Sequence, residues 1–223
     1  MQSNYTLIID FDSTIISLET LEFIGLLSLE KKDNKKQILN EISLITNQAM
    51  NGEISFTESI TKRLNLLEIE EKHFQKSCNL LKSKIDSSFL KNLKFLKDNL
   101  DNIFIISGGF KSMIDKILYS STNLKWKIYA NEIYFDQESK FGKIYLNNPL
   151  AHSKGKVKVV SELNVKNKVV VIGDGYTDYE IKKYGQADYF LAYTKYAKRK
   201  NVISKADKTF DNFDDIIDFL KSI

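Results

Sequence analysis

The sequence predicts an α/β fold in which a Rossmann-like parallel sheet carries helices on both faces. Short apolar runs of strand length recur along the chain, at 5–11, 102–106 and 168–172, and helical periodicity lies between them. Each run ends in a polar or glycine-containing loop, which is typical of buried parallel strands. Ligands of such sheets bind beyond the carboxyl ends of the strands, so these loops form the predicted site.

Composition indicates a globular protein, and any partner must be argued from a site. Of the 223 residues, 43% are hydrophobic and 28% are charged. The formal net charge of +4 is close to balance and does not indicate binding to nucleic acid. No apolar run approaches the roughly 18 residues that span a membrane. One cysteine, Cys78, and no apolar export segment after Met1 predict a cytoplasmic protein.

The first strand is expected at 5–11, because a continuous apolar run suits a strand covered on both faces. From about residue 17 to residue 86, apolar residues recur at spacings of three and four, which predicts helices. Asn51-Gly52 is the clearest break in this pattern. We therefore expect a helical cap domain at 17–85, inserted after the first strand, and a catalytic core formed by 1–16 and 86–223.

The remainder of the chain alternates between helical and strand patterns. A helix is expected at 87–98, a strand at 102–106 and a helix near 110–119. Within 127–146, alternating segments around Asp136 to Lys140 predict a hairpin. The later elements are a helix at 153–163, strands at 168–172 and 187–191, and a closing helix at 213–223.

Two carboxylates, Asp10 and Asp12, come at the end of the first strand in the segment Asp-Phe-Asp-Ser-Thr. Buried carboxylates are costly unless a cation or a proton compensates them. The alternative is a helix cap and turn, which Asp, Ser and Thr also favour. Asp174 and Asp178 follow the strand at 168–172. A helix N-terminus explains one of these four carboxylates well, whereas a magnesium site explains them together.

Other polar motifs follow the same strands. Ser107-Gly108-Gly109 offers a hydroxyl and backbone N–H groups at the start of a helix, which suits phosphate oxygens. Lys154 begins the segment Lys-Gly-Lys-Val-Lys, from which one lysine could neutralise both a phosphate and Asp10, while at least two are expected in solvent. A denser basic stretch is expected to be a solvated loop: Lys195, Lys198, Arg199, Lys200, Lys205 and Lys208.

The ordered set Asp-x-Asp-x-Thr, Ser-Gly-Gly, Lys-Gly and Gly-Asp-Gly-x-x-Asp resembles the haloacid dehalogenase (HAD) superfamily. Within it, the chain resembles the phosphoserine phosphatase family from about Leu7 to Leu191. The narrower resemblance also rests on the predicted cap, where the matching residues are Glu19, Ala49-Met50-Asn51-Gly52, Phe56 and Lys62-Arg63.

The resemblance implies magnesium-dependent hydrolysis of a small phosphomonoester, most specifically O-phosphoserine in the last step of serine biosynthesis. Asp10 would form an aspartyl phosphate, Asp12 would act as acid and then base, and Lys154 would neutralise the phosphoryl group. The implied metal ligands are Asp10, Asp12 through its carbonyl, Asp174 and, nearby, Asp178. The implied substrate ligands are Glu19 for the ammonium group, Arg63 for the carboxylate, and Ser107, Gly108 and Thr177 for the phosphate.

Some alternatives stay open at this point. Glu19 and Arg63 could be exposed helical charges, since spacing alone does not exclude that role. Thr177 stands where some family members carry asparagine, although both side chains can donate a hydrogen bond to phosphate. The substrate could instead be phosphohomoserine or a methylthio-sugar phosphate, or the chain could be an inactive phospho-ligand-binding protein. A dehalogenase is disfavoured, because a halide leaving group has no need of the acid Asp12.

Overall fold

The computed structural model describes residues 5–138 and 140–223. Six parallel strands of this described part form the central sheet, in the order β3-β2-β1-β6-β7-β8 when strands are numbered along the chain. A separate antiparallel hairpin contains the other two strands, and the predicted α/β fold class is confirmed. The strands are β1 (Tyr5–Ile9), β2 (Ile103–Phe110), β3 (Lys127–Asn131), β4 (Ile133–Phe135), β5 (Gly142–Ile144), β6 (Lys168–Gly173), β7 (Tyr189–Tyr193) and β8 (Lys208–Phe210).

Helices occupy most of the intervals between these strands, and six of those in the described part of the chain lie between β1 and β2 in the sequence. None of the helices in the described part of the chain combines the length and apolar character needed to cross a membrane. The helices are α1 (Thr20–Ser28), α2 (Lys35–Met50), α3 (Phe56–Leu67), α4 (Glu71–Leu81), α5 (Ser87–Lys91), α6 (Leu93–Asp98), α7 (Lys111–Thr122), α8 (Gly155–Leu163), α9 (Tyr176–Lys183), α10 (Lys200–Ile203) and α11 (Phe213–Lys221).

The central strands are apolar because both faces of the sheet are covered. Leu7 and Ile9 of β1 belong to the hydrophobic cluster on one face, and Ile8 belongs to the cluster on the other. Successive side chains of a strand point to opposite faces, so every position of such a strand is buried. Strand β1 pairs with β6 in parallel from Tyr5↔Lys168 onwards. The two strands therefore end at the same level of the sheet.

The structure confirms the hairpin predicted around Asp136 to Lys140, because β4 and β5 lie on either side of that segment and pair antiparallel, but it places the start of 127–146 elsewhere. Strand β3 does not belong to a hairpin but pairs in parallel with β2, where Ile128 lies opposite Ile105, and forms one edge of the sheet. The hairpin is confined to β4 and β5. An alternating pattern is typical of a half-buried strand in either arrangement, so the pattern alone could not distinguish them. The opposite edge strand, β8, was not predicted, because it has three residues and two of them are exposed.

The chain leaves the sheet toward α1 and returns from α4 along two adjacent segments. Ser17 N donates to Lys84 O at 2.9 Å, and Asp86 N donates to Ile15 O at 2.8 Å. Ile16 and Ile85 form an antiparallel bridge between these bonds. We call residues 15–17 and 84–86 the connection. Helices α1 to α4 are thus attached to the sheet through two neighbouring backbone segments that are hydrogen-bonded to each other.

Candidate active site

The central strands bring the predicted site residues to one edge of the sheet. Asp10 follows β1, Asp174 follows β6, and Ser107 lies near the end of β2. Strands β2, β1 and β6 are parallel neighbours, so their carboxyl ends meet. Asp10 N also donates to Ile172 O at 2.9 Å, which fixes the first residue beyond β1 against β6. Residues about 160 positions apart in the sequence therefore face the same small volume.

Three carboxylates form a candidate metal centre. Asp10, Asp174 and Asp178 are buried, and each presents an oxygen within 4.8 Å of the other two. Buried anions at such distances repel one another unless a cation compensates them. Carboxylate oxygens are also the ligands that Mg²⁺ prefers in proteins. The chemistry and the burial of this donor set therefore fit a divalent cation.

A buried lysine neutralises part of the charge. Lys156 Nζ donates to Asp10 Oδ1 at 2.6 Å and to Asp178 Oδ1 at 2.7 Å. Burial opposes the charge on Lys156, but the two carboxylates outweigh it, and the pKa of Lys156 is raised above its ordinary value. Burial raises the pKa of Asp178 to about 7, with Lys156 acting against the rise and Asp10 adding to it. One lysine therefore leaves the three-carboxylate cluster incompletely compensated.

This geometry corrects the prediction that Lys154 neutralises Asp10. Lys154 is exposed, precedes α8 with a φ of +60°, and places its Nζ 4.4 Å from the centre of the Tyr184 ring. Gly155 packs so closely that an added Cβ would lie 2.3 Å from Pro149 O. The chain turns tightly there, and the buried side of the first turn of α8 carries Lys156. Lys156 thus takes the place that was predicted for Lys154.

Asp12 lies in a different environment from Asp10. Its Oδ2 accepts hydrogen bonds from Thr20 N at 3.2 Å and Thr20 Oγ1 at 2.9 Å. Its Oδ1 is buried without a hydrogen-bond partner in the described part of the chain. Burial of the carboxyl group, followed by the charges of Glu19 and Asp10, raises the pKa of Asp12 well above its ordinary range, although Thr20 opposes the rise. Asp12 therefore holds its proton to higher pH than an ordinary aspartic acid.

The Ser-Gly-Gly segment forms the irregular end of β2, and α7 begins two residues later, at Lys111. Ser107 Oγ accepts a hydrogen bond from Gly109 N at 3.0 Å. The ring of Phe56 lies so close to Gly108 that an added Cβ would be 2.6 Å from it. Ser107, Gly108 and Thr177 all line the cavity that contains Asp10. Ser107 and Gly108 therefore come from the end of a strand rather than from the start of a helix, whereas Thr177 comes from the first turn of α9.

Glu19 and Arg63 line the same cavity, so the structure brings the predicted polar groups of the helices to the carboxylates. Glu19 Oε1 accepts a hydrogen bond from Ser13 Oγ at 2.9 Å. Arg63 is 4% exposed, and its Nη1 donates to Thr46 Oγ1 at 3.3 Å while its Nε donates to Ser59 O at 3.4 Å. Arg63 is therefore not an exposed helical charge. Its guanidinium is held in the interior, facing the site.

The cavity itself is nearly closed. Its volume is about 30 Å³, which holds water but no ligand of amino-acid size. Phe56, at the start of α3, covers Gly108, and the sulfur of Met50, at the end of α2, lies against Gly175. Helices from the interval between β1 and β2 therefore close the carboxyl edge of the sheet. Entry of a larger ligand requires these contacts to open.

Arg199 also reaches the site, although the sequence analysis placed it in a solvated loop. Its side chain is 10% exposed, and its guanidinium pairs with Asp174 and lies 3.5 Å from Glu19 Oε1. It follows β7, the strand next to β6, so it leaves the sheet at the same edge as Asp174. Its position shortly after the strand predicted at 187–191 was the available signal. The surrounding lysines are mostly exposed, and their charges made the whole stretch resemble a solvated loop.

Comparisons with known proteins agree with this geometry. The family model for haloacid dehalogenase-like hydrolases matches residues 6–181. The chloroplastic phosphoserine phosphatase of Arabidopsis thaliana is 29% identical over 78% of this chain and 60% of its own length. The human phosphoserine phosphatase is 25% identical over 93% of this chain and 89% of its own. A phosphoserine phosphohydrolase-like protein of Francisella tularensis superposes with a TM-score of 0.85 at 29% identity, covering 98% and 99% of the two chains.

We expect Mg²⁺ to stabilise the fold, and to do so more at pH 7.5 than at pH 5. The pKa of Asp178 is raised to about 7, so its contribution to stability is complete below about pH 4 and is lost as the pH rises through 7. A bound cation favours the ionised carboxylates and offsets that loss. Thermal unfolding with and without Mg²⁺ at both pH values measures the difference, with about 2.7 kcal/mol expected at 100 times Kd.

Two variants control this experiment. Asp174→Asn removes one oxygen ligand and should abolish most of the stabilisation by Mg²⁺. Asp98→Asn changes an exposed carboxylate on α6 and should leave the stabilisation intact. If Mg²⁺ stabilised the Asp174→Asn and Asp98→Asn variants equally, the assignment of the metal centre would be contradicted.

Proposed function

The chain belongs to the haloacid dehalogenase-like hydrolase family, and we propose that it is a magnesium-dependent phosphatase that hydrolyses O-phosphoserine. One observation carries the proposal: two aspartates at the end of β1 lie in different electrostatic environments. Asp10 is paired with Lys156, whereas Asp12 has a strongly raised pKa, caused chiefly by burial of its carboxyl group. Such a pair provides a nucleophile and an acid side by side.

In the first half-reaction, a carboxylate oxygen of Asp10 attacks phosphorus, and the bond between phosphorus and the serine oxygen breaks. The leaving oxygen takes the proton of Asp12, so serine departs as an alcohol and the phosphoryl group stays on Asp10. Lys156 holds Asp10 in place and contributes positive charge beside the transferring group. The groups that receive the phosphate oxygens are Ser107, Gly108 and Thr177.

In the second half-reaction, the ionised Asp12 takes a proton from water, and the water oxygen attacks phosphorus. The bond between phosphorus and Asp10 breaks, inorganic phosphate leaves, and both aspartates return to their starting states. One residue thus acts first as acid and then as base. Thr20, which donates two hydrogen bonds to Asp12, holds that carboxyl group in position while its charge changes.

The proposed ligands of Mg²⁺ are the carboxylates of Asp10 and Asp174 and the backbone carbonyl of Asp12, with Asp178 close by. When bound, the ion supplies positive charge to the phosphoryl oxygens. The clustering of Asp10, Asp174 and Asp178 supports this assignment, because Lys156 and Arg199 bring only two positive charges to three buried carboxylates.

Two side chains support phosphoserine as the substrate. Glu19 is an anion and suits the ammonium group, while Arg63 can hold a carboxylate through two hydrogen bonds. Both line the cavity that contains Asp10. The relatives named phosphoserine phosphatase support the same choice, and the product would be free serine. The balanced charge and single cysteine of the chain fit a cytoplasmic enzyme with a small-molecule substrate.

We propose that residues 17–85 form a cap that opens about the connection, because the cavity is too small for phosphoserine. Binding of phosphoserine to the inactive Asp10→Asn variant, with Mg²⁺ present, should close the cap. The expected results are a smaller radius of gyration in solution scattering and slower amide exchange at 15–17 and 84–86. No change in either measurement would contradict the cap movement.

Asp10→Asn should abolish turnover, since asparagine cannot act as the nucleophile. Phosphate release from L-phosphoserine and from a panel of other small phosphomonoesters, with Mg²⁺ or a chelator, tests the proposal. We expect a magnesium-dependent preference for phosphoserine in the intact protein. Preference for another ester would support the proposed reaction but contradict phosphoserine as the substrate. If no ester released phosphate, a protein that only binds phosphorylated ligands would be supported instead.

We propose different roles for two neighbouring lysines, Lys154 and Lys156. Lys156→Met should lower kcat/KM by about 10² to 10³-fold, as expected when one preorganised cation is lost from the reacting centre. Lys154→Met should stay within roughly twofold of the intact protein, since it alters an exposed side chain. Circular dichroism shows whether both variants are folded at the assay temperature. A large loss in Lys154→Met with little in Lys156→Met would restore the prediction made from the sequence.

A further inference from the structure

Asp86 is a buried carboxylate that the proposed mechanism does not use. It is 0% exposed and lies in the connection, where its N donates to Ile15 O at 2.8 Å. Its Oδ1 accepts hydrogen bonds from Ser88 Oγ and, at 3.0 Å, from Phe89 N. This oxygen therefore caps α5, which is an ordinary structural role.

The other oxygen of Asp86 has distant partners. Its Oδ2 accepts hydrogen bonds from Tyr193 Oη at 2.8 Å, Lys195 Nζ at 2.9 Å and Tyr196 Oη at 2.6 Å. Burial opposes ionisation of Asp86, but the donors around it hold its pKa well below the ordinary range. A buried anion is tolerated when all its partners are in place. Asp86 thus fixes the end of β7 against the connection.

The chain beyond this anchor runs directly into the site. We call residues 194–201 the anchored segment. Three residues after Tyr196, Arg199 pairs with Asp174 and lies 3.5 Å from Glu19. Two residues further, Asn201 Nδ2 donates to Asn51 O at 2.7 Å, at the end of α2. The anchored segment therefore contacts the connection, the candidate metal centre and the helices that close the cavity.

We propose that Asp86 is a positioning residue, which holds the anchored segment so that Arg199 stands beside Glu19 and Asp174. An arginine side chain has many rotamers, and an ion pair gains little unless the backbone that carries it is fixed. Without the anchor, Glu19 loses a neighbouring cation, while the charge of Glu22 still lies close enough to repel it. The effect on catalysis rests on the proposed function, whereas the anchoring itself does not.

Two variants separate the two oxygens of Asp86. Tyr196→Phe removes a donor to Oδ2 and keeps the ring, so it should loosen the anchored segment without unfolding the chain. Ser88→Ala removes a donor to Oδ1 and is the matched control, because it alters the cap of α5, and the hydrogen bond that Ser88 Oγ accepts from Phe213 N, without removing a donor to Oδ2. Asp86→Asn removes the charge and replaces one accepting oxygen by a donor, and serves as the third variant where it folds.

Hydrogen exchange tests the anchoring without reference to activity. The amides of Thr194, Val202 and Ile203, which form the hydrogen bonds that begin or end in the anchored segment, should exchange about tenfold faster in Tyr196→Phe than in the intact protein, as expected for one hydrogen bond to a charged group. Amides of β6 should not change, and Ser88→Ala should leave the anchored segment as it is. Unchanged exchange of the segment in Tyr196→Phe would overturn the proposal.

A double-mutant cycle in kcat/KM for L-phosphoserine tests the consequence for the site. Tyr196→Phe and Arg199→Ala should each lower kcat/KM by about tenfold, and the double variant should be little worse than Arg199→Ala alone. Any loss of kcat/KM in Ser88→Ala should be independent of Arg199. The fold-losses of Ser88→Ala and Arg199→Ala should therefore multiply in their double variant. If the losses of Tyr196→Phe and Arg199→Ala multiply, Asp86 does not act through Arg199. If the intact protein does not hydrolyse phosphoserine, the proposed function fails, and the exchange measurement still decides the anchoring.

Discussion

Electrostatic repulsion among aspartates at the carboxyl edge of the sheet is the constraint to which the rest of the site responds. Asp10, Asp174 and Asp178 present oxygens within 4.8 Å of one another in a region of low effective dielectric. Lys156 compensates two of them, and Arg199 pairs with the third. Asp12 relieves the repulsion differently, by keeping its proton. Because these compensating groups come from separate parts of the chain, the charge balance exists only in the folded state.

The parallel sheet makes this convergence possible. Its neighbouring strands β2, β1, β6 and β7 end at one edge, and each delivers a different group: a hydroxyl at Ser107, carboxylates at Asp10 and Asp174, and the cation of Arg199. The strands need only be apolar and in register, as β1 and β6 are. The polar loops beyond them can then carry chemistry without disturbing the core. This separation explains why short apolar runs with polar ends predicted both the fold and the location of the site.

The sequence was less informative wherever side-chain direction or distant contact decided the outcome. The carboxylates were predictable because each follows an apolar strand directly. Which of the three lysines at 154–158 approaches Asp10 was not predictable. That outcome depends on the tight turn at Gly155, which leaves Lys154 in solvent and buries Lys156. Arg199 resembled its exposed basic neighbours, and Asp86 resembled an ordinary helix cap. Both residues contact partners more than 100 positions away in the sequence, Asp86 with Tyr193 and Arg199 with Glu19. A local sequence pattern cannot predict such contacts.

Closure of the cavity and the chemistry of Asp12 depend on each other. Burial is the largest cause of the raised pKa of Asp12, and the cavity is closed by Phe56 and Met50 from the intervening helices. Opening these helices admits water to the carboxyl group, which lowers its pKa and favours loss of the proton. In this scheme Asp12 is protonated, and thus able to act as the acid, only while the site is closed over a ligand. The connection at 15–17 and 84–86, where Asp86 is anchored, therefore links the position of the helices to the protonation state of the acid.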